Sequence, residues 1–462
     1  MTAASTLEAA VRKPFGWRFV TPLLLGSTLN PINSSMIATA LVGIGVDLHA
    51  GPGATASLIS VLYLCGAVFQ PTMGKLSNLF GPRRIFLTGV GILLAGGVVG
   101  VTAPTFGALL VSRALIGIGT SAAYPTAMAL VRKRADETGA GVPSRVLGNF
   151  SIAGQVTAVI GLPLGGVLAG VFGWRAIFAV NIPLALLSIV LTFVGVAKDP
   201  LIRREGRGRL LTALDLSGIV LFAGAITSLL LFLADLTAPR WWLFAVAVVL
   251  TVALYRWERR TRSPLIDVRM LARNLPLQRT YLRQILVQLA AYTVMYGSSQ
   301  WMEQSKGLRP STVGLVLIPL SVISIAVAKV ISVQGWVRWP LIGSGVALVL
   351  AAAVMLAITR GSSILVLVGM SLLLGCVNGS AGFANQATLY MQPPADDIAV
   401  ASGLLRTSTY IGAIFSSSLI GITFGSAATD AGFHTLAWGL VGIGIIVLIL
   451  TVLDRNIPRV AR

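Results

Sequence analysis

The sequence predicts an all-α membrane protein that crosses the bilayer many times. Hydrophobic residues make up 55% of the 462-residue chain and charged residues only 11%, a combination that soluble domains rarely show. The mean hydropathy is +0.87. Apolar runs of about twenty residues recur along the whole length, and a run of that length crosses the hydrocarbon core as a helix.

Fourteen membrane spans follow from these runs. The weakest is 241–256, which is short and begins with Trp241 and Trp242, side chains that suit the membrane interface. The predicted spans cover residues 18–45, 54–75, 84–103, 106–131, 146–170, 174–197, 214–236, 241–256, 280–301, 310–331, 339–359, 363–389, 399–424 and 434–453.

The distribution of basic residues orients these spans. The formal net charge is +20, and most of the 35 Lys and Arg residues fall in loops and tails on one side of the predicted membrane. The positive-inside rule therefore places both termini in the cytoplasm and the protein in the cell membrane. Because the charge is spread over many short loops, no nucleic-acid partner is expected. The loops on the other side hold only Arg175, Arg240, Lys306, Arg309 and Arg360.

Several functional classes are excluded by what the polar segments contain. The longest are 132–145, 198–213 and 257–279, and none could fold as a domain or carries a G-x-x-x-x-G-K-[ST] phosphate loop. An enzyme or an ATP-driven pump is therefore not expected. The two cysteines lie in apolar spans and the two histidines in separate loops, so no metal or cofactor is predicted.

A secondary transporter, a facilitator or a channel remains. Glycine- and proline-rich spans favour a transporter that works by alternating access. The expected partners are a small hydrophobic or amphipathic substrate and the lipid bilayer, with the monomer as the functional unit.

Five stretches resemble the major facilitator superfamily, in its fourteen-helix drug:proton antiporter (DHA2-like) branch. The resemblance implies two six-helix bundles, residues 1–197 and 280–462, joined by a segment 198–279 that inserts two extra helices. It also implies a substrate cavity on the axis between the bundles. The stretches are "GKLSNLFGPRR" (74–84), "RALIGIGTSAAYP" (113–125), "GLPLGGVLAGVFGWRAIFAVNIP" (161–183), "LDLSGIVLF" at the start of span seven and "WERRTRSPLIDVRML" after span eight.

The 74–84 loop is expected to control the conformational change. Gly74 and Gly81 permit a tight turn and close helix approach, and Arg83 and Arg84 stay on the cytoplasmic side. The resemblance implies a carboxylate where this chain has Asn78, an uncharged side chain that still forms hydrogen bonds.

A second conformational motif lies in span five. The family pattern is Gly-Pro-x-x-Gly-Gly, whereas this chain has Gly161, Pro163, Gly165 and Gly166, with the proline one position late. The run is expected to bend the span and to let another helix approach closely.

Polar residues inside the spans are the candidates for the substrate cavity and for coupling. Arg113 is the clearest, because a cation about two turns inside a span is costly in lipid and usually faces a cavity. The resemblance implies a role for this arginine in coupling or substrate handling, and an Asp where the chain has Asn33. The candidates are Arg113, Asn30, Asn33, Ser34, Gln155, Gln288, Tyr292, Tyr296, Asn378, Asn385, Gln386 and Arg406.

All fifteen acids lie in tails, loops or span edges. Proton-driven transporters generally use a buried titratable group, so coupling is expected to be weak or atypical. Asp215, Asp235 and Glu303 are the nearest candidates for a proton site, with Asp235 and Glu303 preferred, because Asp215 is also explained as an acid at a helix start.

Two functions stay open. One is an exporter of hydrophobic or amphipathic compounds with atypical proton coupling, and the other is a proton-independent facilitator, uniporter or lipid transporter. The cationic candidates in the cavity, with no acid among them, predict neutral or anionic amphipathic substrates. A membrane scaffold is a third class, against which the polar stripes argue.

Overall fold

The computed structural model describes residues 14–50, 52–139, 141–199, 214–308, 310–425 and 427–460. Within these ranges the regular secondary structure is helical, apart from one isolated β-bridge between Trp336 and Val460. The long helices are α1 Trp17–Met36, α2 Pro52–Phe80, α3 Pro82–Thr102, α4 Phe106–Thr138, α5 Ser144–Phe172, α6 Asn181–Gly195, α7 Leu216–Ala234, α8 Trp241–Glu258, α9 Leu275–Gln304, α10 Pro310–Gln334, α11 Arg338–Ala357, α12 Ile364–Met391, α13 Ile398–Phe424 and α14 Asp430–Val452.

Each predicted span overlaps one of these helices, but two spans are interrupted. The first breaks after Met36 into a 3₁₀ turn and a short helix, Leu41–Asp47. The sixth is divided into Arg175–Ala179 and α6. Pro183 lies in the first turn of α6, where its missing N–H breaks no hydrogen bond within the helix. Residues 1–13 and 200–213, which belong to the predicted tail and linker, lie outside the described part.

Eleven of the helical segments in the described ranges are long and apolar enough to cross a membrane. The remaining three long helices are α1, α5 and α9, which carry seven of the twelve residues predicted for the cavity. The protein is therefore an all-helical, multi-pass membrane protein. The number of crossings stays a prediction.

Helix packing in the second part of the chain repeats the packing in the first. Helix α1 packs against α4, α5 and α6, and α9 packs in the same way against α12, α13 and α14. Helix α3 packs on α4 and α6, as α11 does on α12 and α14. We refer to α1–α6 as the first half and to α9–α14 as the second half.

The two halves meet along two seams, formed by α2 with α13 and by α5 with α10. Helices α7 and α8 pack on each other, and α7 also contacts both α2 and α13, so the inserted pair lies beside the first seam. We call the end of the molecule that carries the 74–84 loop the basic end. The second-half residues that join the first half's buried core come from this end: Ile331, Val337, Leu341, Phe383, Ala384, Ala387, Tyr390, Ile398 and Ile457.

Candidate functional site

Small residues bring the two halves together at the basic end of the first seam. A β-carbon on Gly74 would lie 2.6 Å from the carbonyl oxygen of Ala399, and one on Gly403 would lie 2.6 Å from the backbone of Pro71. Glycine is therefore required for helices α2 and α13 to approach this closely. Thr407 adds a hydrogen bond of 2.7 Å to the carbonyl of Ala67.

Asn78 joins the halves without a charge. It is exposed, and its Nδ2 donates to the carbonyl oxygen of Asp396, just before α13. A carboxylate at this position could not donate that hydrogen bond. The neutral side chain is thus suited to the partner that it has in this conformation.

The predicted 74–84 loop is helical except at Gly81, because α2 continues to Phe80 and α3 begins at Pro82. This segment nevertheless has a carboxylate, supplied by Asp199 from after α6. Its Oδ2 accepts a hydrogen bond of 2.9 Å from the backbone nitrogen of Arg84, and Lys133 lies 4.0 Å away. Gly81 has φ of +93°, and a β-carbon there would contact Asp199. Arg83 is buried, with its guanidinium 5.2 Å from the ring centre of Phe193. Sequence reasoning missed Asp199, because it is 118 positions from Gly81.

The second seam is closed at the same end. Gly148 faces Ser332, and the hydroxyl of Ser324 donates to Oε1 of Gln155. On the nearby helix α12, the hydroxyl of Tyr390 donates to the carbonyl of Met128 at 2.6 Å. Gln155, predicted as a cavity residue, therefore connects the two halves.

A polar group lies further along the first seam, toward the opposite end. The hydroxyl of Tyr410 donates to Oδ1 of Asn30 at 2.9 Å and accepts from Nε2 of Gln70 at 3.0 Å. Asn30 in turn donates to Thr120 at 2.9 Å. Tyr410 of the second half therefore binds α1 and α2 directly and is linked to α4 through Asn30.

Aromatic rings continue from this group toward the opposite end. The rings of Tyr63 and Tyr410 are 5.5 Å apart, and those of Tyr292 and Tyr296 stack at 5.7 Å. Tyr63 also lies near Tyr296, across the halves. Tyr296 is 43% exposed, so this tyrosine group borders open space or lipid.

Arg406 lies one turn from Tyr410 toward the basic end. Its guanidinium carbon is 4.0 Å from the ring centre of Tyr124, on α4 of the other half. The side chain is half-buried. This cation–π contact makes Arg406 a candidate cation between the halves.

Arg113 does not border open space, contrary to the expectation from its position in the span. The residue is completely buried, and its Nε donates to the carbonyl of Leu58 at 3.0 Å. The two terminal nitrogens lie 3.5 and 3.4 Å from the carbonyl of Asn33. These carbonyl groups belong to α2 and α1 and accept hydrogen bonds from the guanidinium group. Arg113 therefore connects α4 to α1 and α2. Ser34, by contrast, is half-buried and within hydrogen-bonding contact of Tyr63.

Asn33 is likewise a packing residue in this conformation, which corrects its assignment to the cavity surface. It is completely buried and donates to Oδ1 of Asn181 at 2.6 Å, while Asn181 donates back to Oδ1 of Asn33 at 3.0 Å. This reciprocal amide pair joins α1 to α6. The two amides satisfy each other, as polar groups buried in a membrane protein must.

The amides of α12 also lie in the closed basic end. Asn385 is buried, accepts from Nε of Arg283 at 2.6 Å and donates to Gln284 at 2.9 Å. Gln386 is buried beside the sulfur of Met128. Sequence reasoning treated Arg283 as a cytoplasmic residue at a span edge, but it is fully buried. Asn378 and Gln288 are half-buried.

The glycine run of α5 packs on α1. A β-carbon on Gly161 would lie 2.5 Å from Cβ of Ser35, and one on Gly165 would lie 2.8 Å from the backbone of Met36. Gly166 has no neighbour within 4 Å of such an atom. The helix continues through position 163, and the side chain of Pro163 lies outside the described part.

The two candidate proton sites are both exposed. Asp235 follows α7, and hydrogen bonds from the hydroxyl of Thr237 at 2.6 Å and from the backbone nitrogen of Ala238 lower the pKa of its carboxyl group. This exposure and these hydrogen bonds favour the ionised form, which argues against Asp235 as a proton site. Glu303, near the end of α9, is exposed at the same end.

Apolar helices packed in two similar halves, with polar groups along the seams, define a multi-pass membrane transporter. Residues 23–417 match the family model of the Major Facilitator Superfamily, and the chain belongs to that family. Its relatives include drug-resistance and drug-export proteins, in agreement with the resemblance to the drug-transporter branch.

Two relatives show the range of similarity. The uncharacterized transporter YwoD of Bacillus subtilis is 36% identical, over 90% of this chain and 92% of that protein. The tetracenomycin C resistance and export protein of Streptomyces glaucescens is 26% identical, over 90% of this chain and 77% of that protein. The crystal structure of a human organic anion transporter is similar in fold, with a TM-score of 0.66 at 15% identity, covering 94% of this chain and 99% of that one.

Proposed function

We propose that this protein exports hydrophobic or amphipathic compounds across the cytoplasmic membrane by alternating access, as a monomer. The observation that carries the proposal is the joint closure of both seams at the basic end, through Gly74 with Ala399 and Gly148 with Ser332. With the basic end in the cytoplasm, as the positive-inside rule favours, this closure corresponds to an outward-facing conformation. The names of the drug-resistance relatives support export.

The architecture that we propose has fourteen crossings, with both termini in the cytoplasm. Residues 1–197 and 280–462 form two six-helix bundles, and residues 198–279 insert α7 and α8 between them. The repeated packing around α1 and α9 supports this division. The contact of α7 with both α2 and α13 supports an insertion beside the seam rather than a separate unit.

The proposed substrates are neutral or anionic amphipathic molecules. The polar group between the halves contains Asn30, Gln70 and four tyrosines, with Arg406 beside it. Aromatic faces bind apolar surface, and a guanidinium binds carboxylates or phosphates. A similar fold in an organic anion transporter is compatible with this substrate class but does not determine it.

The exporter and the facilitator, the two functions that stay open, differ in whether transport is coupled to protons. An exporter coupled to protons needs a titrating group, and Asp235 is unsuited to that role while Glu303 is exposed. Weak or atypical coupling is our first proposal. A facilitator that moves its substrate down a gradient is the second, favoured by the neutral Asn33 and Asn78 at positions where the family resemblance implies acids.

Transport by purified protein in liposomes tests both functions. Uptake of an anionic and of a cationic amphipathic dye would be measured with an imposed pH gradient and again after the gradient is collapsed. We expect transport of the anionic dye with weak dependence on the gradient. Accumulation that requires the gradient and is lost in Glu303→Gln would establish this residue as the proton site, whereas equilibration independent of the gradient would establish the facilitator. Absence of any protein-dependent flux would refute both functions.

A further inference from the structure

Two buried carboxyl groups face each other beside the first seam. Asp215 and Glu258 are 4% and 1% exposed, and their carboxylate oxygens accept from the adjacent backbone nitrogens of Leu265 and Ile266. A β-carbon on Gly218 would contact both carboxylates, at 2.8 Å from Oε1 of Glu258. Two carboxylates this close cannot both be ionised at little cost, so the pair has room for one proton.

Most of the carboxylate oxygens already have donors. Asp215 accepts from the indole nitrogen of Trp257 at 2.7 Å and from the backbone nitrogens of Gly218 and Leu265 at 3.1 and 2.9 Å. Glu258 Oε1 accepts from the backbone nitrogen of Ile266 at 3.3 Å. Oε2 of Glu258 is buried and has no hydrogen-bond partner in the described part of the chain. A bound proton would supply the missing donor.

The segment that these carboxylates hold also contacts both halves of the protein. Lys75 of α2 donates to the hydroxyl of Ser263 and to the carbonyl of Pro264, both at 2.8 Å. Leu265 and Ile266 pack in one buried cluster with Val400 of α13. Residues 263–266 therefore connect the acid pair to each side of the first seam.

We propose that Asp215 and Glu258 form a binding site for one proton, and that this proton stabilises the closed basic end. Bound, it converts the Glu258 carboxylate to a carboxylic acid whose O–H donates to Asp215. When it leaves to water at the basic end, a second negative charge develops beside Lys75. Repulsion between the two carboxylates then displaces Leu265 and Ile266, whose backbone nitrogens they bind, and this weakens the contacts of residues 263–266 with α2 and α13.

The other charged groups nearby come from each element around the pair. Lys75 comes from α2, Asp397 from the turn before α13, and Asp267 from the segment after α8. Lys75 is the cation among them and is in electrostatic contact with Asp215, Glu258 and Asp397. The acids outnumber it, which favours retention of a proton within the group.

The inference rests on the proposed alternating access, but its test needs no substrate, so that failure of one is distinguishable from failure of the other. Spin labels would be placed at Arg145→Cys and Gln334→Cys, exposed positions on the two sides of the second seam at the basic end. The two native cysteines would be replaced by serine. The distance between the labels would be measured over a pH series.

We expect a single short distance at acidic pH and an added longer distance as the pH rises. Glu258→Gln cannot ionise and can donate to Asp215, so the short distance should persist at every pH. The matched control Glu137→Gln, an exposed acid near the end of α4, should respond like the parent. A parent without pH response, or a Glu258→Gln variant that follows the parent, would overturn the proposal.

Infrared spectroscopy keeps the test decisive if Glu258→Gln fails to fold. The unlabelled parent should show the C=O stretch of a buried carboxylic acid, and this band should disappear as the pH rises. The band should be retained in Asp235→Asn, whose acid is exposed. A parent spectrum without a buried carboxylic acid would refute the site directly.

Discussion

Arg113 is the residue whose environment differs most from what its position in the span predicts. A buried guanidinium is tolerated because backbone carbonyls of Leu58 and Asn33 face it. These carbonyls belong to α2 and α1, so the arginine links three helices of the first half. Its contribution to transport should therefore come from the position of these helices.

Arg113→Ala removes the hydrogen bonds that a buried cation donates to two helical carbonyl groups. A hydrogen bond to a charged group contributes about 1.5–3 kcal/mol, so the free energy of unfolding should fall by that order and transport should be lost. Dye flux in liposomes and thermal unfolding in detergent would measure the two effects. Arg18→Ala, an exposed arginine near the start of α1, is the control and should change neither.

Arg113→Lys separates charge from geometry. Lysine keeps the positive charge but lacks the planar group of donors that reaches two carbonyls at once. We expect it to remain defective. Full activity in this variant would show that the charge alone is sufficient and would contradict the linking role.

The amide pair of Asn33 and Asn181 gives a second residue-scale prediction. Asn33→Leu leaves Oδ1 of Asn181 without its donor, and the free energy of unfolding should fall by about 1–3 kcal/mol. In the double variant with Asn181→Leu both polar partners are gone, so part of the loss should be recovered. Unfolding measurements on the four proteins of this cycle would decide, and simple additivity would contradict the pairing.

At the scale of elements, α5 uses its glycine run as a contact surface. Gly161 and Gly165 face α1 at distances that leave no room for a side chain, whereas Gly166 faces no atom. The motif is thus divided between positions that pack and a position that does not. The same alanine substitution at a packed and at an unpacked glycine should therefore have different effects.

Gly165→Ala should separate α1 from α5, because the added methyl would lie 2.8 Å from the backbone of Met36. Overpacking of this kind costs about 1–3 kcal/mol, and transport should decrease accordingly. Gly166→Ala is the matched control, since alanine is favoured over glycine in a helix by up to about 1 kcal/mol. Thermal unfolding and dye flux should place the two variants on opposite sides of the parent; equal defects would contradict the assigned face.

The helices could be predicted from sequence, but the partners of their polar residues could not. An apolar run of about twenty residues specifies a helix by itself, and each predicted span overlaps one. Helical periodicity also places Asn30, Asn33 and Ser34 on one face. That face touches two neighbours: Asn30 contacts Tyr410 and Asn33 contacts Asn181. No pattern in the local sequence distinguishes the residue that faces the other half from the residue that faces α6.

For the whole molecule, the close contacts of α2 with α13 define which end is closed. Gly403→Ala would place a methyl 2.6 Å from the backbone of Pro71. A penalty of about 1–3 kcal/mol on the closed arrangement changes the ratio of open to closed molecules by about 5- to 150-fold. Labels at positions 145 and 334 should report a longer distance in this variant. Gly369→Ala, where a methyl meets no atom within 4 Å, should leave the distance unchanged, and an unchanged distance in Gly403→Ala would contradict the role of the seam.

Asn78 has a consequence for the conditions under which the basic end closes. It binds a backbone carbonyl, as do Thr407 and Tyr390 elsewhere between the halves. Dissolved ions screen charge–charge attraction over a Debye length of about 8 Å at physiological ionic strength, but they have little effect on hydrogen bonds between neutral groups. The stabilisation that these three bonds give the closed basic end should therefore be nearly independent of salt concentration, in contrast to any contribution from Lys75 and the acid pair.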